Sequence, residues 1–203
     1  MEEYMKQIEI TTRVNNSLEE VDKILTKQGF SLIRKSRVED KYLTQQKDQL
    51  TKANILTILS KCVLIRYLCV DNDYVFKGIT YKNKVYDKDT VVSEEKINVK
   101  IEDTEAAEKL LNALDFQKIV DVNYDVIVYK KDFVELAFQQ VEGLGLLLEY
   151  ENPNNFEGVD NESILKEKQK MLDEISAYNL DITGDFDIKK SYELILERLK
   201  ELC

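Results

Sequence analysis

The sequence predicts an α+β fold: a large antiparallel sheet or barrel of about eight strands, with helices between the strands and at the C-terminal end. Three observations carry this. Short stretches of alternating apolar and polar residues follow one another at hairpin spacing. Apolar stripes at helical spacing are confined to a few segments between and after them. With one proline and six glycines in 203 residues there is no linker-like tract, and 43% hydrophobic content is enough to bury a core. The reading is a single domain over residues 1–203.

Taken in order, Ile8, Ile10 and Val14 alternate with Glu9, Thr11 and Arg13, a strand with one apolar face. Ser17-Leu-Glu-Glu20 is a capping box that opens a helix through about Gln28, and Gly29 stops it by taking the left-handed conformation at little cost. Residues 30–45 read as a long strand and 50–60 as a short helix. Cys62–Val70 is apolar on both faces apart from Arg66. Tyr74–Lys82 and Glu94–Ile101 flank a turn-rich stretch at 83–89, the second strand with a wet face (Glu94, Lys96, Asn98, Lys100) and a packed one. Asp103 or Thr104 caps a helix to about Leu114. Residues 119–129 and 133–141 form a hairpin, Glu142-Gly-Leu-Gly145 turns the chain into 146–151, and amphipathic helices cover about 162–178 and 188–202.

Charge narrows the function. The net charge of −10 disfavours sequence-independent binding to nucleic acid or anionic lipid, so neither is expected as a partner. Histidine is absent, which excludes mechanisms that need an imidazole base or ligand. Three cysteines without metal-site spacing, an N-terminus without a signal-like apolar core and the lack of any run near the ~18 apolar residues of a membrane span point to a cytoplasmic protein. The charge is also uneven: residues 1–100 hold 18 basic and 15 acidic side chains, residues 101–203 hold 11 and 24. Either the two signs converge on one site, or the C-terminal helices are simply acidic.

Two local features could carry chemistry. In Leu146-Leu-Leu-Glu149-Tyr-Glu151 the period-2 geometry puts Glu149 and Glu151 on one strand face, roughly 7 Å apart, close enough to share hard cations through oxygen; the alternative is a solvated strand edge. Glu9, on the polar face of the first strand, is a third candidate if those strands converge. Arg66 interrupts Val63-Leu-Ile-Arg-Tyr-Leu, where a guanidinium must find an anion, either a phosphate or a structural carboxylate. Lys82, closing Gly78-Ile-Thr-Tyr-Lys82, is a weaker basic candidate.

The stretch Val134-Glu-Leu-Ala-Phe-Gln-Gln-Val-Glu-Gly-Leu-Gly-Leu-Leu-Leu-Glu-Tyr-Glu151 resembles the penultimate hairpin of the CYTH family, the triphosphate tunnel enzymes that include class IV adenylyl cyclases, thiamine triphosphatases and inorganic triphosphatases. Thr80-Tyr-Lys82, Leu64-Ile-Arg66, Asp40-Lys-Tyr42 and Ser191-Tyr192 are similar to further family positions, in the family's order. The resemblance spans nearly the whole chain. It implies an eight-stranded antiparallel tunnel in which basic residues grip a polyphosphate and carboxylates hold Mg²⁺ or Mn²⁺. It implies Glu9, Glu149 and Glu151 as metal ligands and Arg66 and Lys82 as phosphate contacts, with Arg13 standing in for a lysine absent at Thr11.

Several family positions are altered: Gln7, Thr11, Leu64 and Gln139 replace an acid, a lysine, an arginine and an aspartate, and residues 119–129 hold no basic side chain. Lys96 and Lys100 are candidate substitutes. Each lost charged hydrogen bond removes about 1.5–3 kcal/mol of binding. The expectation is therefore a class IV adenylyl cyclase-like protein binding a nucleotide or other polyphosphate with a divalent metal. A triphosphatase, and a binding module without turnover, stand as alternatives. No residue is assigned as a general base. A homodimer through an exposed edge at Tyr74–Lys82 is compatible with the pattern.

Overall fold

The computed structural model describes residues 8–87 and 90–201, with side chains described outside 85–95 and 201. Gln7 and Cys203 lie outside the described residues. The elements follow as β1 (Ile8–Arg13), α1 (Leu18–Lys27), β2 (Ser31–Thr44), a 3₁₀ turn (Lys47–Gln49), α2 (Ile55–Leu59), β3 (Lys61–Val70), β4 (Tyr74–Asp87), β5 (Thr90–Lys100), α3 (Thr104–Ala113), β6 (Gln117–Lys131), β7 (Val134–Val141), β8 (Gly145–Asn152), α4 (Asn161–Ser176) and α5 (Lys190–Glu201). All eight strands form one antiparallel sheet in the order β1-β8-β7-β6-β2-β3-β4-β5.

Local signals fix many of these boundaries. Ser17 and Glu20 form the capping box, with the Ser17 backbone N–H donating to Glu20 Oε2 at 2.8 Å. Gly29 sits at φ +86°, and the Phe30 N–H returns to the Leu25 carbonyl, closing the helix as expected. Asp103 caps α3 through its carboxylate, which accepts from the Glu105 and Ala106 N–H groups.

Four expectations are corrected. The helix expected over 50–60 is only Ile55–Leu59, because the Asn54 side chain accepts from Thr51 and donates to the Gln49 carbonyl, holding the preceding residues in a turn. The turn-rich stretch at 83–89 is largely strand: β4 runs to Asp87, its register with β5 outweighing the turn preference of Asn83. β4 is therefore paired on both sides and is no edge; β5 takes that place. Finally, β5 has no packed face over 96–100, since Ile97 and Val99 are each 53% exposed at the sheet margin.

The sheet has two differently covered faces. On the outer face, α1 and α4 pack on Ile8, Ile10, Phe138, Leu148 and Tyr150, and Ala107 and Leu111 of α3 pack on Leu43, Val63 and Ile65. On the inner face, α2 and α5 cover Tyr42, Leu64, Val122, Tyr124 and Leu147. Cys62–Ile65 is buried on both faces because a helix lies on each side of it, which is why this stretch is apolar without alternation.

Among the described residues β1 and β5 do not pair with each other, so the sheet is curled but open. The outer edge of β1 is instead capped by the chain leading to α5: the Thr11 N–H donates to the Phe186 carbonyl, Ile188 N–H to Thr11 and Thr183 N–H to Arg13. These bonds satisfy an exposed edge and aim α5 across the inner face.

Candidate functional site

Register places all six predicted site residues on the inner face. Glu9 stands opposite Glu151, Thr11 opposite Glu149 and Arg13 opposite Leu147 on the β1–β8 ladder. Asp40 stands opposite Arg66, and Lys82 opposite Lys96. Antiparallel partners share a face, and following the pairs across the sheet keeps these residues on one side. The curl then brings distant strands together. Lys96 on β5 is near enough to Glu149 and Glu151 on β8 to lower the pKa of both.

The buried Tyr124 sits among these charges. Burial raises its pKa most, Asp40, Glu149 and Glu9 raise it further, and Arg66 opposes them. Carboxylates and cations from β1, β2, β3 and β8 thus surround one side chain of β6.

The three carboxylates differ in their surroundings. Glu151 has its pKa raised, first by burial and then by Glu9 and Glu149, against the pull of Lys96. For Glu149 burial is the largest influence and acts upward, but Lys190, a hydrogen bond from Gln139 and Lys96 together hold its carboxyl below the usual range. The Lys190 ammonium lies 3.4 Å from Glu149 Oε2 and donates to Gln139 Oε1. It also stands 4.6 Å from the centre of the Tyr124 ring.

The basic residues are more committed than sequence suggested. Arg66 makes a two-pronged pair with Asp40, Nε to Oδ1 at 2.7 Å and Nη2 to Oδ2 at 2.6 Å, and Asp40 is 2% exposed. The structural carboxylate is the anion Arg66 finds, and among the described residues Nη1 makes no hydrogen bond to protein. Arg13 pairs with Glu193 of α5 and donates to the Leu144 carbonyl at 3.1 Å, so it anchors that helix. Lys82 lies 5.9 Å from the centre of the Tyr42 ring.

Sequence reasoning missed two lysines. Lys190 opens α5, and no local pattern distinguishes it from Lys189. Lys168 belongs to the buried stripe of α4 at 3% exposure, between Ile164 and Met171. Its i+4 spacing from Ile164 was the available signal. Burial lowers its pKa most; Asp187 and Glu9 oppose that, while Lys189 and Lys84 add to it. A separate cavity of about 450 Å³ opens beside α5, lined by Leu56, Asp187, Lys189, Tyr192 and Glu193 among others, and by none of the six predicted residues.

A protein of Methanocaldococcus jannaschii named "Putative adenylate cyclase MJ0240" is 32% identical over 190 residues, covering 93% of this chain and 97% of that protein. The chain belongs to the family of that adenylate cyclase-like protein. No protein-family model matches the chain. Among solved structures, the PH1819 protein of Pyrococcus horikoshii superposes with a TM-score of 0.68 at 22% identity, over 95% of this chain and 99% of that one. A structure from Vibrio parahaemolyticus described as a "putative adenylate cyclase" gives a TM-score of 0.62 at 14% identity, over 95% of this chain and 98% of that one. At these identities the likeness concerns the fold. No helix among the described residues is long and apolar enough to cross a membrane.

Proposed function

We propose that the chain binds ATP or another polyphosphate together with Mg²⁺ or Mn²⁺ on the inner face of its sheet, and that cyclisation of ATP to cyclic AMP is the reaction the arrangement serves. The observation that carries this is the placing of Glu9, Glu149 and Glu151 on the face they share with Lys82, Lys96 and Arg66. The family relationship points the same way.

The donor set fits a hard cation. Three carboxylates occupy adjacent strands, and burial, Glu9 and Glu149 raise the pKa of Glu151 against the pull of Lys96. Among the described residues no three acidic or cysteine side chains converge into a ready cage. That suits Mg²⁺, which keeps several waters and takes phosphate oxygens beside one or two carboxylates. When bound, the ion would supply charge neutralisation at the phosphates.

The protein's own part is positioning. Lys82 and Lys96, paired across β4 and β5, offer two ammonium groups to phosphate oxygens. Nη1 of Arg66 offers a third donor, held by the Asp40 pair. In cyclisation the ribose 3′-oxygen bonds to the α-phosphorus, the bond to the bridging oxygen breaks and pyrophosphate leaves. No side chain is assigned to receive the 3′-hydroxyl proton.

A second reading, ligand binding without turnover, is favoured by one observation: Arg13, Arg66 and Glu149 are each paired to another side chain of the protein. Incubation with ATP, inorganic triphosphate and thiamine triphosphate plus Mn²⁺, with products resolved, separates the readings. Cyclic AMP with pyrophosphate supports the first. Released phosphate indicates a triphosphatase, binding without product supports the second, and no binding rejects all of them.

A further inference from the structure

We propose that Lys190 is a site residue that holds the cation position at Glu149 as a tethered ammonium, so that α5 competes with divalent ions for that carboxylate. The inference rests on the metal reading given above.

The surroundings of Lys190 Nζ are those of a bound cation. A carboxylate oxygen stands 3.4 Å away, the Gln139 amide oxygen accepts a hydrogen bond, and the Tyr124 ring presents itself 4.6 Å from the ammonium. Gln139 is neutral, so at this point one ammonium faces one carboxylate. The lysine side chain is only 18% exposed and the glutamate 29%, so the pair is substantially withdrawn from water. Among the described residues, no ion pair ties Glu9 or Glu151, farther along the same ladder, to α5.

The helix is held in this pose from a second point. Glu193, three residues on, pairs with Arg13 on β1. One face of the first turn of α5 thus neutralises an acid of β8 and a base of β1. Backbone bonds from 183–188 to β1 fix where the helix begins. A divalent ion reaching Glu149 must displace the ammonium, and the Arg13–Glu193 pair retains the helix when it does so.

The test is Mn²⁺ binding without nucleotide, read by calorimetry and by the loss of the free-ion paramagnetic resonance signal. The proteins are wild type, Lys190→Met, Lys190→Arg and the double variant Lys190→Met/Glu149→Gln, each checked for folding by circular dichroism. The inference expects Lys190→Met to bind Mn²⁺ at least fivefold more tightly than wild type, Lys190→Arg to remain within twofold of it, and the double variant to lose the gain. Unchanged or weaker binding by folded Lys190→Met, with wild type binding Mn²⁺, overturns the inference and leaves the metal reading intact. A gain that survives Glu149→Gln also overturns it. Mn²⁺ binding by none of the four proteins overturns the metal reading, and this inference with it.

Discussion

Glu9 and Glu151 stand directly opposite each other across the β1–β8 ladder, two like charges at a position where cross-strand neighbours ordinarily attract or ignore one another. Nothing in the packing of the sheet requires them, since the outer-face neighbours Ile8, Ile10 and Tyr150 already bury the strands. The pair costs stability and gives the inner face a negative end.

The cost has a pH signature. The Glu151 carboxyl lies above its ordinary 4.5 in the folded state, so ionisation is disfavoured by folding. The penalty is absent in acid, grows as pH rises through 4.5 and is complete above the folded-state value. Glu151→Gln is therefore expected to melt higher than wild type at neutral pH in the presence of chelator, with the difference vanishing on acidification. Thermal melts across pH 3–8 check this; a lower melting point for the variant at pH 7 contradicts it.

The Arg66–Asp40 pair makes the opposite prediction. Arg66→Ala leaves Asp40, 2% exposed, without its counter-charge, and removing one partner of such a pair costs about 3 kcal/mol. Replacing both residues together by Met and Leu is expected to recover most of that loss. Denaturant unfolding of the two single variants and the double variant reads the coupling, and additive losses would show that the pair does not act as a unit.

How much of this was legible in the sequence follows from what each feature depends on. The face alternation of β1, the Ser17 capping box and the Gly29 stop depend on neighbours in the chain, and the structure has them where expected. The common face of Glu149 and Glu151 was also readable, because alternation on a strand is local, whereas Glu9 joins them only through the pairing of β1 with β8. The partners of the charges were not. That Arg66 meets Asp40, that Arg13 meets Glu193 and that Lys190 meets Glu149 depends on strand order and on the path of 181–188 along β1, which no local pattern encodes. The expected edge at Tyr74–Lys82 was misplaced for the same reason: the segment reads as an edge only until β5 is known to pair beyond it.

Lys168 yields a third expectation. Its amine is buried in the apolar stripe of α4, and its folded-state pKa lies below 10.5. A lysine so shifted destabilises the fold at every pH below its folded-state value, and the penalty fades as pH rises from there to 10.5. Lys168→Met keeps the volume and removes the charge, so it is expected to stabilise the protein at neutral pH by about 1–2 kcal/mol. Denaturant unfolding at pH 7 measures it; destabilisation would show that Asp187 and Glu9 hold the charge favourably.

The claim on which the account turns is that the acidic end of the inner face and its facing lysines receive a polyphosphate with its cation. Calorimetric titration of ATP with Mn²⁺ into wild type and into the Glu9→Gln/Glu151→Gln double variant addresses it most directly. The account predicts saturable binding by wild type and at least a tenfold weaker association, about 1.4 kcal/mol, in the folded variant. Equal affinity in the two proteins, or no binding by wild type, contradicts it.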